Sequence, residues 1–144
     1  GVDVVLQGLW KFGNDWVFDS RLSYTYQKAQ DFTDKSDKDT YGGQISYIPW
    51  HSGSAILNAG YKSWELNYSF IYTGERYDVS ANTPENYRLP WYTSDFSLAK
   101  KFSWRKYDFK LTLEVNNIFN QQYEVVRSYP MPGTNFKFIL NLTI

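Results

Sequence analysis

Asp31, Asp34, Asp37 and Asp39 crowd into one short stretch, and carboxylates at that density are the raw material of a calcium site. Lys35 and Lys38 interrupt the run, and the EF-hand spacing with its central glycine is missing. A solvated loop is the expectation here. His51 is the one histidine and has no second histidine or cysteine at ligand spacing, so a loop-end position is expected instead of a metal centre. Asp108, Lys110 and Glu114 fall on one side of an alternating segment and have the residue types of an acid–base cluster. Charges lining a polar lumen would look the same. No Ser-x-x-Lys, Gly-x-Ser-x-Gly or His-Glu-x-x-His pattern occurs. No catalytic residue, metal ligand or cofactor is therefore assigned, ligand-binding residues stay unknown, and the chain is not expected to be an enzyme.

The elements that would hold such residues must be read from composition and periodicity. At 144 residues the chain, 1–144, is expected to be one domain. Its 15 basic and 15 acidic residues balance, which argues against a nucleic-acid partner and against a polybasic membrane anchor. With no cysteine, disulfides and thiolate metal sites are excluded. Aromatic residues make up 20% of the chain, yet mean hydropathy is −0.54. Transmembrane barrels combine those two properties, because ring girdles flank an apolar band around a polar lumen. No apolar run is long enough for a transmembrane helix. Gly1-Val2-Asp3-Val4 lacks the charged and apolar regions of a signal peptide. Either a leader has been removed, or the chain begins inside a longer protein.

Period-2 alternation covers most of the length and makes this an all-β chain. Trp16, Phe18, Leu22, Tyr24 and Tyr26 share one face against Asp19, Arg21, Ser23, Thr25 and Gln27. Trp64, Leu66, Tyr68, Phe70 and Tyr72 oppose Glu65, Asn67, Ser69 and Thr73. Tyr107, Phe109, Leu111, Leu113 and Val115 oppose Asp108, Lys110, Thr112, Glu114 and Asn116. Phe136, Phe138, Leu140, Leu142 and Ile144 close the chain, with only Ile139 breaking the polar side. Rings near the strand ends and aliphatics nearer the middle suit a lipid-facing strand. One face of a soluble sandwich also alternates, but its strands usually have about 5 or 6 residues, and these are longer.

Short turns are expected at Gly13-Asn14-Asp15, Lys62-Ser63 and Ser103-Trp104-Arg105, and long connections at 28–53, 75–90 and 118–133. They alternate strictly, as periplasmic turns and extracellular loops do in outer-membrane barrels. Residues 40–48 alternate weakly through Tyr41, Gly43, Ile45 and Tyr47 and are read as an extension running towards Pro49. The expectation is an antiparallel meander of about seven spanning strands, part of a transmembrane outer-membrane β-barrel, with the C-terminus periplasmic. Seven is an odd number, so further strands are expected outside this sequence.

Several motifs then carry a family resemblance. Val115-Asn116-Asn117-Ile118-Phe119-Asn120-Gln121-Gln122-Tyr123-Glu124 resembles the V-x-N-L-F-D-K-x-Y ending of TonB-dependent receptors. Tyr129-Pro130-Met131-Pro132-Gly133 is similar to the family's Y-P-x-P-G-R, with Thr134 in place of the arginine. Tyr72-Thr73-Gly74-Glu75-Arg76-Tyr77 and Leu89-Pro90-Trp91-Tyr92-Thr93-Ser94-Asp95 resemble its loop entry and return. Ser23-Tyr24-Thr25-Tyr26 and Ile48-Pro49-Trp50-His51 fit two further segments in the same order. Ile144 stands where the family ends in phenylalanine. Gly133 after Pro132 is expected in a turn with positive φ, and Gly74 and Pro90 are expected to bracket a loop.

The resemblance implies a TonB-dependent importer of iron chelates, cobalamin or a similar nutrient. This segment would supply barrel wall and extracellular loops in a bacterial outer membrane. Its implied partners are membrane lipid, the rest of the barrel, a plug domain absent here, and TonB reached through the parent's N-terminal part. Two other readings stay open. One is a small eight-stranded barrel of structural or adhesive role, with 40–48 as a strand. The other is a soluble all-β ligand-binding domain.

Overall fold

The computed structural model describes residues 1–143, and Ile144, expected on the apolar face of the last strand, lies outside the described residues. In chain order the strands are β1 (Val2–Phe12), β2 (Trp16–Tyr26), β3 (His51–Tyr61), β4 (Trp64–Thr73), β5 (Arg76–Tyr77), β6 (Tyr87–Arg88), β7 (Trp91–Trp104), β8 (Tyr107–Asn116), β9 (Glu124–Val126), β10 (Tyr129–Pro130) and β11 (Asn135–Thr143). Seven long strands form one antiparallel sheet in the order β1-β2-β3-β4-β7-β8-β11, and the four short ones make two separate pairs. This is the meander that the alternation predicts.

Register fixes the faces, because residues paired across strands point the same way. Leu6 pairs with Leu22, Phe18 with Ala59, Leu66 with Leu98, Leu113 with Phe138 and Leu111 with Leu140. One face is thus predominantly apolar across the sheet, and among the described residues nothing covers it. Phe136, Phe138 and Leu6 remain 72%, 66% and 61% exposed, while Ala99 is the one buried hydrophobic residue among those described. A soluble sandwich would bury such a face against a second layer; the described residues form no second layer over it. At about 3.3 Å per residue, the 11 residues of β1 extend about 36 Å. A tilt near 45° reduces that to about 25 Å, the height of a barrel's apolar band.

The turns follow from local chemistry. Gly13 takes φ 60°, the left-handed conformation that a side chain disfavours, and closes the β1–β2 hairpin. Lys62 (φ 54°) turns β3 into β4. The third turn lies at Arg105-Lys106, later than expected, because Trp104 still pairs with Tyr107. The three long connections fall at 27–50, 74–90 and 117–134; five of the six bounds lie within a residue of expectation, and the first loop ends three residues early because β3 already begins at His51.

Residues 40–48 depart from expectation. They are not an extended run towards Pro49 but a folded loop. Asp31 N–H donates to the Gly43 carbonyl at 2.9 Å and Ile45 N–H to Ala29 at 3.2 Å. Gly42 (φ 81°) and Tyr47 (φ 61°) break the extended geometry. The eight-stranded reading loses its additional strand with them. Gly133 also differs, since its φ is not positive. The left-handed residues nearby are Asn117, Asn120 and Ser128, and Gly133 is needed because a Cβ would lie 2.5 Å from Asn120 Oδ1.

All pairings in the sheet are antiparallel, so β1 and β11 run in the same direction and remain unpaired edges. An unpaired edge is not viable in hydrocarbon, where each unmet backbone group costs several kcal/mol. The 144-residue chain expressed alone should therefore aggregate or associate edge to edge. Light scattering and heat-modifiable gel migration in detergent check this, and a monodisperse heat-modifiable monomer would refute it.

Candidate functional site

The polar face of the sheet carries an ordered network. Glu65 on β4 binds two lysines: Lys110 on β8 donates to it at 2.6 Å, and Lys101 on β7 pairs with its other oxygen. Lys137 on β11 reaches Glu114 on β8 at 3.3 Å. Asn58 donates to Asp19 at 2.9 Å and itself accepts from Asn67, so a polar ladder crosses β2, β3 and β4. A concavity of about 770 Å3 opens on this face, among residues that include Asp19, Asn67, Glu65, Lys110 and Thr112. Water must reach this side. Lysines and carboxylates placed there keep solvation while they pair, which suits a lumen wall.

The suspected acid–base cluster does not assemble. Asp108 accepts from Ser103 Oγ at 2.6 Å, Lys110 serves Glu65, and Glu114 serves Lys137. The aspartate run is used up locally. Asp31 caps Thr33 N–H at 2.8 Å, Asp34 caps Ser36 at 2.8 Å, and Asp37 receives Asp39 and Thr40 N–H. Those are turn-forming roles. Hydrogen bonds from Thr33 and Ser36 hold the Asp31 and Asp34 carboxyls below their ordinary values. His51 opens β3, on the outward face, and shares a 2.7 Å hydrogen bond between its Nδ1 and the Tyr24 hydroxyl.

At the other end of the strands, the three long loops lock together around a buried charge node that the sequence reading did not single out. Arg76 and Arg88 sit opposite each other on β5 and β6, an unfavourable pair without an anion between them. Asp78 supplies it. Its side chain is 2% exposed and receives Arg88 Nε at 2.8 Å, with Arg127 at 3.4 Å from the third loop. Arg76, itself 3% exposed, donates from Nη2 to the carbonyls of Glu124 (2.9 Å) and Val125 (3.2 Å), tying the second loop to the third. Burial pulls its guanidinium below the ordinary value; Tyr47 opposes that shift and Arg88 adds to it. The first loop joins through Tyr47, whose N–H donates to Tyr77 at 2.8 Å, and through Gln44, which bonds Asn82 and the Ile48 carbonyl.

A second node sets the third loop on the wall. Asn117 turns the chain at φ 51°, and its N–H donates to Asp95 Oδ1 at 2.8 Å. Its amide donates to Gln121 at 2.9 Å and to Pro132 at 3.2 Å, so one side chain pins both limbs of the loop. Thr134 donates from Oγ1 to the Asn117 carbonyl at 2.7 Å, which is what the residue at that departure from the family pattern does. Gly74 is required too, since a Cβ there would lie 2.7 Å from the His51 carbonyl. Trp91 stacks on Tyr123 at 4.5 Å beside a cleft of about 440 Å3 that Arg88, Gln122 and Glu124 also line. Arg76 and Asn117 both lie within motifs that carry the resemblance, and the motif was the available signal for them.

No curated protein matches the chain. The family model described as TonB dependent receptor-like, beta-barrel, matches residues 1–118. It spans six of the seven long strands, β1 to β8, and the family is one of outer-membrane transport. An uncovered apolar exterior, a charged inner wall and braced loops at one end are what such a barrel requires, and the chain belongs to the TonB-dependent receptor-like β-barrel family.

Proposed function

We propose that this chain forms part of the wall and outer mouth of an energised importer, taking up an iron chelate, cobalamin or another nutrient too large for porins. The observation that carries this is the two-faced sheet, apolar and uncovered outside, charged and hydrated inside, capped at one end by interlocked loops. In this reading the long loops face the exterior and the short turns face the periplasm. A plug supplied by the parent protein fills the lumen, TonB acts through the parent's N-terminal part, and catalysis has no role. The wall positions its polar groups on rigid strands, so that the plug can move against it without the wall unfolding.

Uptake by cells lacking the parent gene tests the reading, with labelled iron chelates and cobalamin as probes. Deletion should abolish protonophore-sensitive accumulation of one probe class, and the cloned gene should restore it. Uptake that persists after deletion for every class, or that ignores the protonophore, would overturn it.

A further inference from the structure

The outward face holds one lysine. On the seven spanning strands every other outward side chain among the described residues lacks a formal charge, but Lys100 pairs in register with Trp64 and shares its face. An ammonium facing hydrocarbon is costly near the midplane, at about 2–4 kcal/mol, and falls to about 0–1 at the interface. Lys100 resolves this by reach. Its stem extends towards the Lys62-Ser63 turn, its Nζ is 4.4 Å from the Trp64 ring, and it donates to Ser63 Oγ at 2.6 Å. The stem runs along the indole and the charge reaches the polar boundary, the arrangement by which long cations emerge from an apolar layer.

Further cations ring the same boundary. Lys62 lies over Tyr61, Arg105 over Trp104 and Lys106 over Tyr107, each at 5.2 Å. The one carboxylate paired with any of them is Asp15, 3.9 Å from Lys62 and exposed, a contact worth little. Lys100, Arg105 and Lys106 have no carboxylate partner among the described residues. On the inner wall Lys101, Lys110 and Lys137 are paired, while Lys11 and Arg21 have no carboxylate partner among the described residues. The rim is therefore a belt of rings and mostly unpaired cations, complementary to phosphate at the level where headgroups lie.

We propose that Lys100, with Lys62 and Ser63 on its neighbouring hairpin, binds the headgroup phosphate of an anionic phospholipid, while Arg105 and Lys106 on the next hairpin hold further anionic headgroups of the same leaflet. Lys100 and Lys62 supply the charge. Ser63, which already accepts from Lys100, has its hydroxyl hydrogen left to donate, and Trp64 flanks the first acyl carbons. With the orientation proposed above, the lipid belongs to the periplasmic leaflet. The site itself depends only on the outward face being lipid-facing, so it can fail while the transport reading stands, and the reverse.

The test is native mass spectrometry of the full-length parent protein in detergent, titrated with phosphatidylglycerol or phosphatidylcholine. Wild type should retain phosphatidylglycerol preferentially. K100Q should weaken that retention about fivefold, and R105Q/K106Q by more than tenfold, at about one fivefold step per surface cation. K35Q, in the first long loop, should change nothing. Equal retention of the two lipids by wild type, or a heat-modifiable K100Q with unchanged retention, would overturn the proposal. If K100Q does not fold, R105Q/K106Q decides in the same way, because both residues are exposed in a turn.

Discussion

Arginine in place of Leu111 should destabilise the parent barrel by about 2–4 kcal/mol, the penalty for a guanidinium near the middle of a lipid-facing strand. Leu111 lies midway along β8, pairs with Lys100 on one side and Leu140 on the other, and points outward with Phe109 and Leu113. Thr112 is its control. One step along the strand it points inward between Lys110 and Glu114, and it pairs with Ala99 and Ile139. Arginine there extends into the lumen towards Glu65 and Glu114, so its cost should be clearly smaller. Urea unfolding of the two parent variants in lipid vesicles measures the difference. Equal losses would abolish the face assignment, and a larger loss at Thr112 would reverse it.

Removing Asp78 should be as costly, but locally. Asp78→Ala leaves Arg88 and Arg127 without their anion, with Arg76 facing Arg88 across β5 and β6, and breaking a buried pair in this way costs about 3–5 kcal/mol. The barrel strands do not use Asp78, so the loss should fall on the mouth. Hydrogen exchange should rise together across 74–90 and 117–134 and spread to the first loop through Tyr47. Heat-modifiable migration should stay intact. Exchange confined to the residues beside position 78 would show that the loops are independent and the node is not their brace.

The two predictions rest on features that were unequally legible. Lipid buries one face of β8 as a core would, so Phe109, Leu111 and Leu113 show their direction in simple alternation. Where alternation was borrowed by a loop, it misled. Tyr41, Gly43, Ile45 and Tyr47 keep the period without a partner strand, and the Gly42-Gly43 pair lets the chain fold back on 29–31. At Pro132-Gly133 the turn chemistry was judged from neighbours, whereas the constraint is the approach of Asn120 across the loop. The Arg76–Asp78 node was hidden for the same reason. Its partners sit in three loops, and Arg76 meets carbonyls 48 and 49 residues further along the chain. No local pattern encodes such a distance. The inner wall was visible as a polar period, but the pairing of Glu65 with both Lys101 and Lys110 depends on β4 and β7 being neighbours across a long loop.

The central claim is that these strands cross the membrane with the long connections on one side and the hairpin turns on the other. Ser80 and Asn14 are both exposed and lie at opposite ends of the sheet, in the second long loop and in the β1–β2 turn. An epitope inserted in the parent protein at each position, probed with antibody on intact cells, separates the two ends directly. Labelling at Ser80 and none at Asn14 until the outer membrane is permeabilised is the predicted result. Labelling at Asn14 on intact cells, or at both sites equally, would contradict it.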